Sequence, residues 1–164
     1  MIIYPGLEAL RQFYSVHIKK QVEEENNMVV FAPFYETTDY VRTTLSSGNS
    51  AMDVSEHEKG QSLTVMDAAK VYRSEQLIPS FMETTINYAK RMGKSGVTFI
   101  GDTGAFHYML KRKELVEYEL SLPRRFGENR KVFCLYHQRD FDRLSKDQKQ
   151  KLLEHHGRVI KLQC

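Results

Sequence analysis

The feature that most constrains the fold is a short run, residues 28–32, that is apolar at every position and does not alternate with polar residues. Further strands are predicted from the mainly apolar runs at 63–67, 97–100 and 132–136. A strand that is apolar at successive positions is covered on both faces, which is typical of a parallel sheet flanked by helices. We therefore predict an α/β fold, a three-layer sandwich around an open, mostly parallel sheet.

Segments with helical spacing of apolar residues separate the predicted strands. They span residues 7–26, 37–48, 79–93, 113–122 and 145–157, and two shorter strands are predicted at 1–4 and 159–160. The predicted elements alternate between strand and helix, with connections long enough for right-handed crossovers. Residues 49–60 are polar and predict a loop with a helical turn. Without a linker, repeat or low-complexity tract, residues 1–164 are predicted to form a single domain.

Capping signals mark the predicted starts of three helices, at Thr37, Ser80 and Ser145. Threonine and serine side chains accept hydrogen bonds from the free amides of a first helical turn. The two serines are followed three residues later by Glu83 and Gln148, which is the spacing of a capping box.

The charge and the cysteine content exclude several classes of protein. Lys and Arg number 24 against 21 Asp and Glu, a net charge of +3. Because both signs are mixed along the chain, no basic track for direct nucleic-acid binding is predicted. The two cysteines give no disulfide framework, which favours a reducing compartment. No apolar run approaches the ~20 residues of a membrane span, so we expect a cytoplasmic, unanchored protein.

Candidate binding residues are taken from the carboxyl ends of the predicted strands, where open α/β sheets bind their ligands. Asp67 and Asp102 directly follow apolar runs, so both carboxylates are predicted at the same edge of the sheet. If their strands are neighbours, the pair could hold a cation or hydrogen-bond a polar ligand. Alternatively, each carboxylate caps its own loop. The other residues predicted for ligand binding at this edge are Tyr35, Glu36, Thr103 and Tyr136.

The motif Gly101-Asp102-Thr103-Gly104 predicts a tight turn after the fourth strand. Glycine at both ends of the motif allows a positive φ or a close approach to a ligand. The motif by itself specifies no particular ligand.

Glu119 is a further candidate for ligand binding because it shares a helical face with Leu115 and Leu122. A carboxylate drawn toward the sheet needs a partner, since burying an unpaired charge is costly. That partner is either a backbone amide or an arginine, or it is a bound ligand.

The sequence gives no strong signal for catalysis or metal binding. The turn after the first strand, residues 4–8, has one glycine and no lysine, so it lacks the groups of a phosphate-binding loop. Cys134 and His137 lie three apart in a predicted strand and point to opposite faces. His155 and His156 are poorly placed to chelate one ion together. Cys134 is therefore predicted to be a buried core thiol, and no metal, cofactor or catalytic residue is predicted.

Five segments resemble, in order, the motifs of MEDS domains, the sensory module named after methanogen and methylotroph DcmR proteins. They are residues 63–68 with Tyr72, 101–104, 117–119, 134–136 and 156–160, and their order and spacing agree over nearly the whole chain. Residues 32–38 and 120–123 further resemble the stand-alone archaeal branch of the family. MEDS domains are in turn similar to KaiC/RecA-like ATPases, with residues 63–67 in the place of a Walker B strand and residues 4–7 where a Walker A loop would lie.

The resemblance implies a non-catalytic sensor of a small molecule. The pocket would lie at the former nucleotide edge, and a conformational change would pass to a transcriptional or kinase partner, because no DNA-binding or kinase segment is present in the chain. Two alternatives stay open. One is a divergent magnesium-dependent nucleotide hydrolase or phosphoryl-transfer enzyme using Asp67 and Asp102, and the other is an interaction scaffold or homodimer without a pocket. The residues implied for the sensor's pocket are Tyr35, Asp67, Asp102, Thr103 and Glu119.

Overall fold

A computed structural model describes residues 1–73, 78–124, 127 and 129–163. The strands within these residues are β1 (Ile2–Tyr4), β2 (Asn27–Ala32), β3 (Leu63–Val65), β4 (Gly96–Asp102), β5 (Arg130–His137) and β6 (Ile160–Lys161). They form one sheet in the order β3-β2-β4-β5-β1-β6, and every pair of neighbours is parallel. The prediction of an open, mostly parallel sheet is confirmed.

Helices connect the strands along the chain. They are α1 (Leu7–Lys19), α2 (Thr38–Leu45), α3 (Val54–Lys59), α4 (Ala68–Tyr72), α5 (Ile78–Arg91), α6 (Gly104–Tyr108), α7 (Arg112–Ser121), α8 (Gln138–Asp142) and α9 (Lys146–His155). A π-helical turn at Lys20–Glu24 continues α1. The five predicted helices correspond to α1, α2, α5, α7 and α9, and the helical turn predicted within residues 49–60 is α3.

Three helices were not predicted from the sequence. They are α4, α6 and α8, which begin within three residues after the ends of β3, β4 and β5. Each has five residues, little more than one helical turn, which is too short to show a repeating apolar face. These helices turn the chain at the carboxyl edge of the sheet, and they therefore shape the region where a ligand was expected.

Two of the predicted helix caps are confirmed. The Thr37 hydroxyl accepts a hydrogen bond from the Tyr40 amide at 3.2 Å. Ser145 and Gln148 form a capping box, in which the Gln148 amide donates to the Ser145 hydroxyl at 3.2 Å and the Ser145 amide donates to the Gln148 side chain at 2.9 Å.

The capping box predicted for α5 is not observed. Ser80 was expected to cap this helix together with Glu83, but the described part of α5 already includes Ile78 and Pro79, so Ser80 lies inside the helix. Proline is tolerated in a first helical turn because its missing amide needs no partner there.

Helices cover both faces of the sheet and give three layers. On one face α1, α2 and α3 pack around an apolar cluster that includes Leu10 and Phe31. On the other face α5 packs on Val30, and α4 with α6 to α9 surround a cluster that includes Tyr136 and Leu152. All positions of β2 are buried, as its unbroken apolar run predicts.

Candidate functional site

An open groove lies at the carboxyl ends of β2 and β3. Its volume is about 630 Å³, and Tyr35, Glu36 and Asp67 line it together with Phe34 and Lys70. The structure therefore brings together three of the residues that were predicted at this edge. We call this depression the carboxyl-edge groove.

The two predicted acidic residues do not share a site. β2 lies between β3, which precedes Asp67, and β4, which ends at Asp102, so the two strands are roughly 9.5 Å apart. Asp67 is exposed, and its carboxylate accepts a hydrogen bond from the Ala69 amide at 2.8 Å. The condition for a shared site, that the two strands are neighbours, is not met. The alternative, in which Asp67 caps its own loop, is confirmed.

Asp102 is 0% exposed and anchors the turn after β4. One carboxylate oxygen accepts a hydrogen bond from the Tyr4 hydroxyl at 2.8 Å, and the other accepts one from the Gly104 amide at 2.9 Å. Burial raises the pKa of Asp102 to about 7, although these hydrogen bonds oppose the rise. Asp102 thus ties the turn to β1 and lies beneath the surface of the protein.

Thr103 is buried beside Asp102. Its hydroxyl donates to the Leu135 carbonyl at 2.9 Å, and its amide donates to the same carbonyl at 3.0 Å. Thr103 therefore holds the turn against β5. Neither Asp102 nor Thr103 lines the groove, although both were predicted to bind its ligand.

Close packing explains the two glycines of this turn, since neither has a positive φ. A Cβ atom on Gly104 would lie 2.6 Å from ring atoms of Phe34 and Tyr35. A Cβ atom on Gly101 would lie 2.3 Å from the hydroxyl of Tyr72. The close approach that the sequence predicted is real, but the approaching groups are aromatic side chains of the protein.

Tyr35 connects the groove to α8. Its hydroxyl donates a hydrogen bond to Asp140 and accepts one from Arg139 at 3.3 Å. The Tyr35 ring also contacts the ring of His137, with 5.3 Å between the centroids. Burial and the hydrogen bond to Asp140 raise the pKa of Tyr35 to about 12. Asp140 was not predicted from the sequence, where its only signal is its place shortly after a strand end.

Glu36 lines the groove but is paired with α1. Its carboxylate accepts a hydrogen bond from Nε of Arg11 at 2.7 Å, and the Glu36 side chain is 3% exposed. The hydroxyl of Tyr14 lies 3.5 Å from the other oxygen. Glu36 therefore fixes a wall of the groove and presents little of its charge to a ligand.

A second buried region lies where α7, β5 and the segment after α9 meet. Glu119, Cys134 and His156 each present one donor atom there, and these atoms all lie within 4.8 Å of one another. We call these three residues the Glu119 cluster. Nε2 of His156 lies 3.1 Å from the Glu119 carboxylate, and its Nδ1 lies 2.8 Å from the Leu152 carbonyl oxygen. The cluster lines a cavity of about 210 Å³.

Glu119 is 0% exposed, and its predicted burial with Leu115 and Leu122 is confirmed. Burial and the nearby Glu119 carboxylate raise the pKa values of Cys134 and Tyr136. Among the described residues, no group donates a hydrogen bond of normal geometry to either Glu119 oxygen. Tyr136, predicted at the carboxyl edge, therefore lies beside the Glu119 cluster and does not line the groove.

The Glu119 cluster joins residues that the sequence analysis considered in other pairs. Cys134 is buried as predicted. His137, which is three residues away in the sequence, instead caps α8 by accepting a hydrogen bond from the Arg139 amide at 3.1 Å. The histidine that meets Cys134 is His156. A signal was present, because each member of the cluster lies in one of the five segments on which the family resemblance rests.

No helix in the described part of the chain is long and apolar enough to cross a membrane.

A comparison with known proteins identifies the family of the chain. No curated protein and no solved structure gives a significant match. The family model for MEDS, the methanogen/methylotroph DcmR sensory domain, matches residues 1–156. The match covers most of the chain, and the chain therefore belongs to the MEDS family of sensory domains.

Proposed function

We propose that this MEDS domain is a non-catalytic, cytoplasmic sensor that binds a small molecule in the carboxyl-edge groove and signals through a partner protein. The groove itself is the observation that carries the proposal. Its volume of about 630 Å³ lies within the range of roughly 300–1,000 Å³ that is usual for small-molecule sites. Its position at the carboxyl ends of parallel strands is the one that open α/β sheets use for ligands.

The lining of the groove favours a small ligand with both an apolar and a polar part. Phe34 and Tyr35 supply aromatic surface, whereas Asp67 and Lys70 supply opposite charges. An apolar wall with a few convergent polar groups is the usual composition of a binding site.

Tyr35 offers a route from the groove to the rest of the molecule. Because its hydroxyl bonds to Asp140 in α8, a ligand that displaces Tyr35 would break a contact between the loop after β2 and helix α8. The ring of Phe34 contacts Tyr108, which is 77% exposed. A ligand shifts an equilibrium between two conformations only by the difference in its affinity for them. A partner protein that contacts α6 or α8 would detect such a shift.

The proposed absence of catalysis follows from the turn after β1. Residues 4–8 supply no lysine to a triphosphate, and phosphoryl transfer depends mainly on positioning and charge stabilisation. The separation of Asp67 from Asp102 also removes the carboxylate pair on which a magnesium-dependent enzyme would rely. We further propose that the domain descends from a KaiC/RecA-like ATPase that lost its phosphate loop and belongs to the stand-alone archaeal branch.

Thermal-shift measurements with a panel of small metabolites test the sensor proposal. A ligand at about 100 times its Kd stabilises the folded state by ~2.7 kcal/mol. We expect at least one metabolite to raise the Tm without being converted. Asp67→Asn should reduce the shift, whereas the control Tyr40→Phe, which changes an exposed ring outside the groove, should leave it unchanged.

ATP with Mg²⁺ is the contrasting probe. If it raises the Tm and is hydrolysed, and Asp67→Ala abolishes both effects, the sensor proposal is wrong and a phosphoryl-transfer enzyme is the better description. If no metabolite binds and the protein forms a stable homodimer in size-exclusion chromatography, the scaffold alternative replaces the sensor.

A further inference from the structure

We propose that Glu119, Cys134 and His156 bind one divalent transition-metal ion, best matched by Zn²⁺, with one coordination position open to the adjoining cavity. This site is separate from the carboxyl-edge groove. The inference therefore does not depend on the function proposed above.

The spacing of the three donors fits a metal site. Their donor atoms lie within 4.8 Å of one another. In a tetrahedral zinc site with bonds of about 2.0–2.3 Å, the ligand atoms are roughly 3.4–3.6 Å apart. Side-chain rotations that close the widest gap by about 1 Å would complete the geometry. The three residues come from α7, β5 and the segment after α9, so the fold itself positions them.

The hydrogen bond of His156 sets the tautomer that a metal ligand needs. Its Nδ1 lies 2.8 Å from the carbonyl oxygen of Leu152, which can only accept, so Nδ1 carries a proton. In the neutral imidazole the lone pair is then on Nε2, which lies 3.1 Å from the Glu119 carboxylate. Ligating histidines commonly donate their other ring nitrogen to a backbone carbonyl, which fixes both tautomer and ring orientation.

The Glu119 carboxylate calls for a cation. It is 0% exposed, and within the described residues neither oxygen accepts a hydrogen bond of normal geometry. A buried carboxylate whose hydrogen-bonding capacity is not met is unfavourable, and His156 at 3.1 Å is a charged partner for it only when protonated. A metal ion bound between these two residues would neutralise the charge of Glu119 and would be coordinated by the Nε2 lone pair of His156.

A simple ion pair between Glu119 and a protonated His156 explains less of the region. It accounts for their 3.1 Å separation, and the Cys134 thiol could add a hydrogen bond to Glu119, but it gives no role to the cavity. The amino group of Met1, which also lies nearby, donates to the Arg158 carbonyl at 2.9 Å. The metal site accounts for all three residues of the Glu119 cluster together.

The ligand types select the metal. A thiolate, an imidazole and a carboxylate suit Zn²⁺, whereas Mg²⁺ and Ca²⁺ prefer oxygen ligands alone. Three protein ligands leave the fourth tetrahedral position open, in contrast to closed structural sites with four. The cavity of about 210 Å³ beside the cluster gives this fourth position room for water or a small anionic ligand.

Metal binding is tested on the full chain carrying Cys164→Ser, so that Cys134 is its only cysteine. Zn²⁺ affinity is measured by competition with a chromophoric chelator, and Co²⁺ is added separately as a spectroscopic probe. We expect one Zn²⁺ per chain. We also expect the Co²⁺ complex to show a thiolate charge-transfer band and the intense visible bands of tetrahedral coordination.

Substitutions within the cluster identify the ligands. Loss of an outer-shell partner alone costs about 10- to 100-fold in metal affinity, so Glu119→Gln, Cys134→Ser and His156→Gln should each cost at least that much. His155→Gln is the matched control. Its Nε2 faces the Leu122 carbonyl at 3.0 Å rather than the cluster, so it should retain the wild-type affinity.

The proposal is overturned by failure to bind Zn²⁺, by a Co²⁺ spectrum without the thiolate band, or by equal loss of affinity in the His155 control. The Co²⁺ spectrum requires no substitution within the cluster, so it decides the question even if a cluster variant fails to fold. An ion pair alone would give no metal binding and is thereby distinguished.

Discussion

Asp102 and Glu119 are both fully buried carboxylates, yet their surroundings differ. Asp102 accepts hydrogen bonds from a tyrosine hydroxyl and a backbone amide, each shorter than 3 Å. Glu119 accepts none of normal geometry from the described residues. Since a satisfied buried carboxylate is explained by the contacts it makes, Asp102 serves as a structural anchor. Glu119 instead lies beside Cys134 and His156, with which we propose that it binds a metal ion. The two carboxylates therefore differ in their hydrogen bonding and not in their burial.

The largest expected effect is a loss of stability as the pH rises, caused by the buried carboxyl group of Asp102. Its pKa is about 7 in the folded protein against 3.8 ordinarily, so between these values the folded state binds more protons than the unfolded state. The free energy of unfolding should therefore fall as the pH rises from 4 to 8, by roughly 4 kcal/mol at most. Asp102→Asn should remove this contribution, as measured by urea denaturation at several pH values.

The control for this experiment is Asp67→Asn, because Asp67 is an exposed carboxylate that also accepts a backbone hydrogen bond. This variant should keep the wild-type pH slope. An equal change of slope in both variants would show that the raised pKa of the buried Asp102 is not the cause of the pH dependence.

A destabilisation of intermediate size is expected from a substitution at Gly101. Its neighbour Tyr72 lies between Asp102 and Glu119. Burial and the charges of Glu119 and Asp102 raise the pKa of Tyr72. Gly101→Ala places a methyl group against the Tyr72 hydroxyl, 2.3 Å from its oxygen, and overpacking of this kind costs about 1–3 kcal/mol. Tyr72→Phe removes the clashing oxygen, so the double variant should recover most of that loss in chemical denaturation. If Gly101→Ala is equally destabilising with and without the hydroxyl, this contact is not the cause.

The smallest effect is expected at Ser145, the N-cap of α9. Ser145→Ala removes the capping hydrogen bond to the Gln148 amide and should lower the free energy of unfolding by about 1 kcal/mol. Zn²⁺ affinity should stay at the wild-type value, because His156 lies beyond the opposite end of the helix. Ser55→Ala, an exposed position inside α3, serves as the control for a serine without a capping role. Weakened zinc binding in Ser145→Ala would show that global stability, and not the identity of the ligands, controls the Zn²⁺ affinity of the Glu119 cluster.

Local sequence patterns predicted those strands and helix starts that are determined by residues close together in the chain. The apolar run of β2 predicted a strand buried on both faces, and Thr37 and Ser145 predicted helix starts, since a cap depends only on residues within one turn. Short helices such as α8 escaped because five residues carry no periodic signal. The sequence also predicted the groove residues Tyr35, Glu36 and Asp67, because each of them follows a predicted strand.

The sequence by itself determined the α/β class, the parallel sheet and the edge at which Tyr35 and Asp67 lie. The tertiary structure alone decided that β2 separates Asp67 from Asp102, and that Glu119, Cys134 and His156 converge. The physical reason is the range of the interactions. Strand order and side-chain clusters arise from contacts between residues far apart in the chain, such as Tyr4 and Asp102, which are 98 positions apart, and no local pattern encodes them.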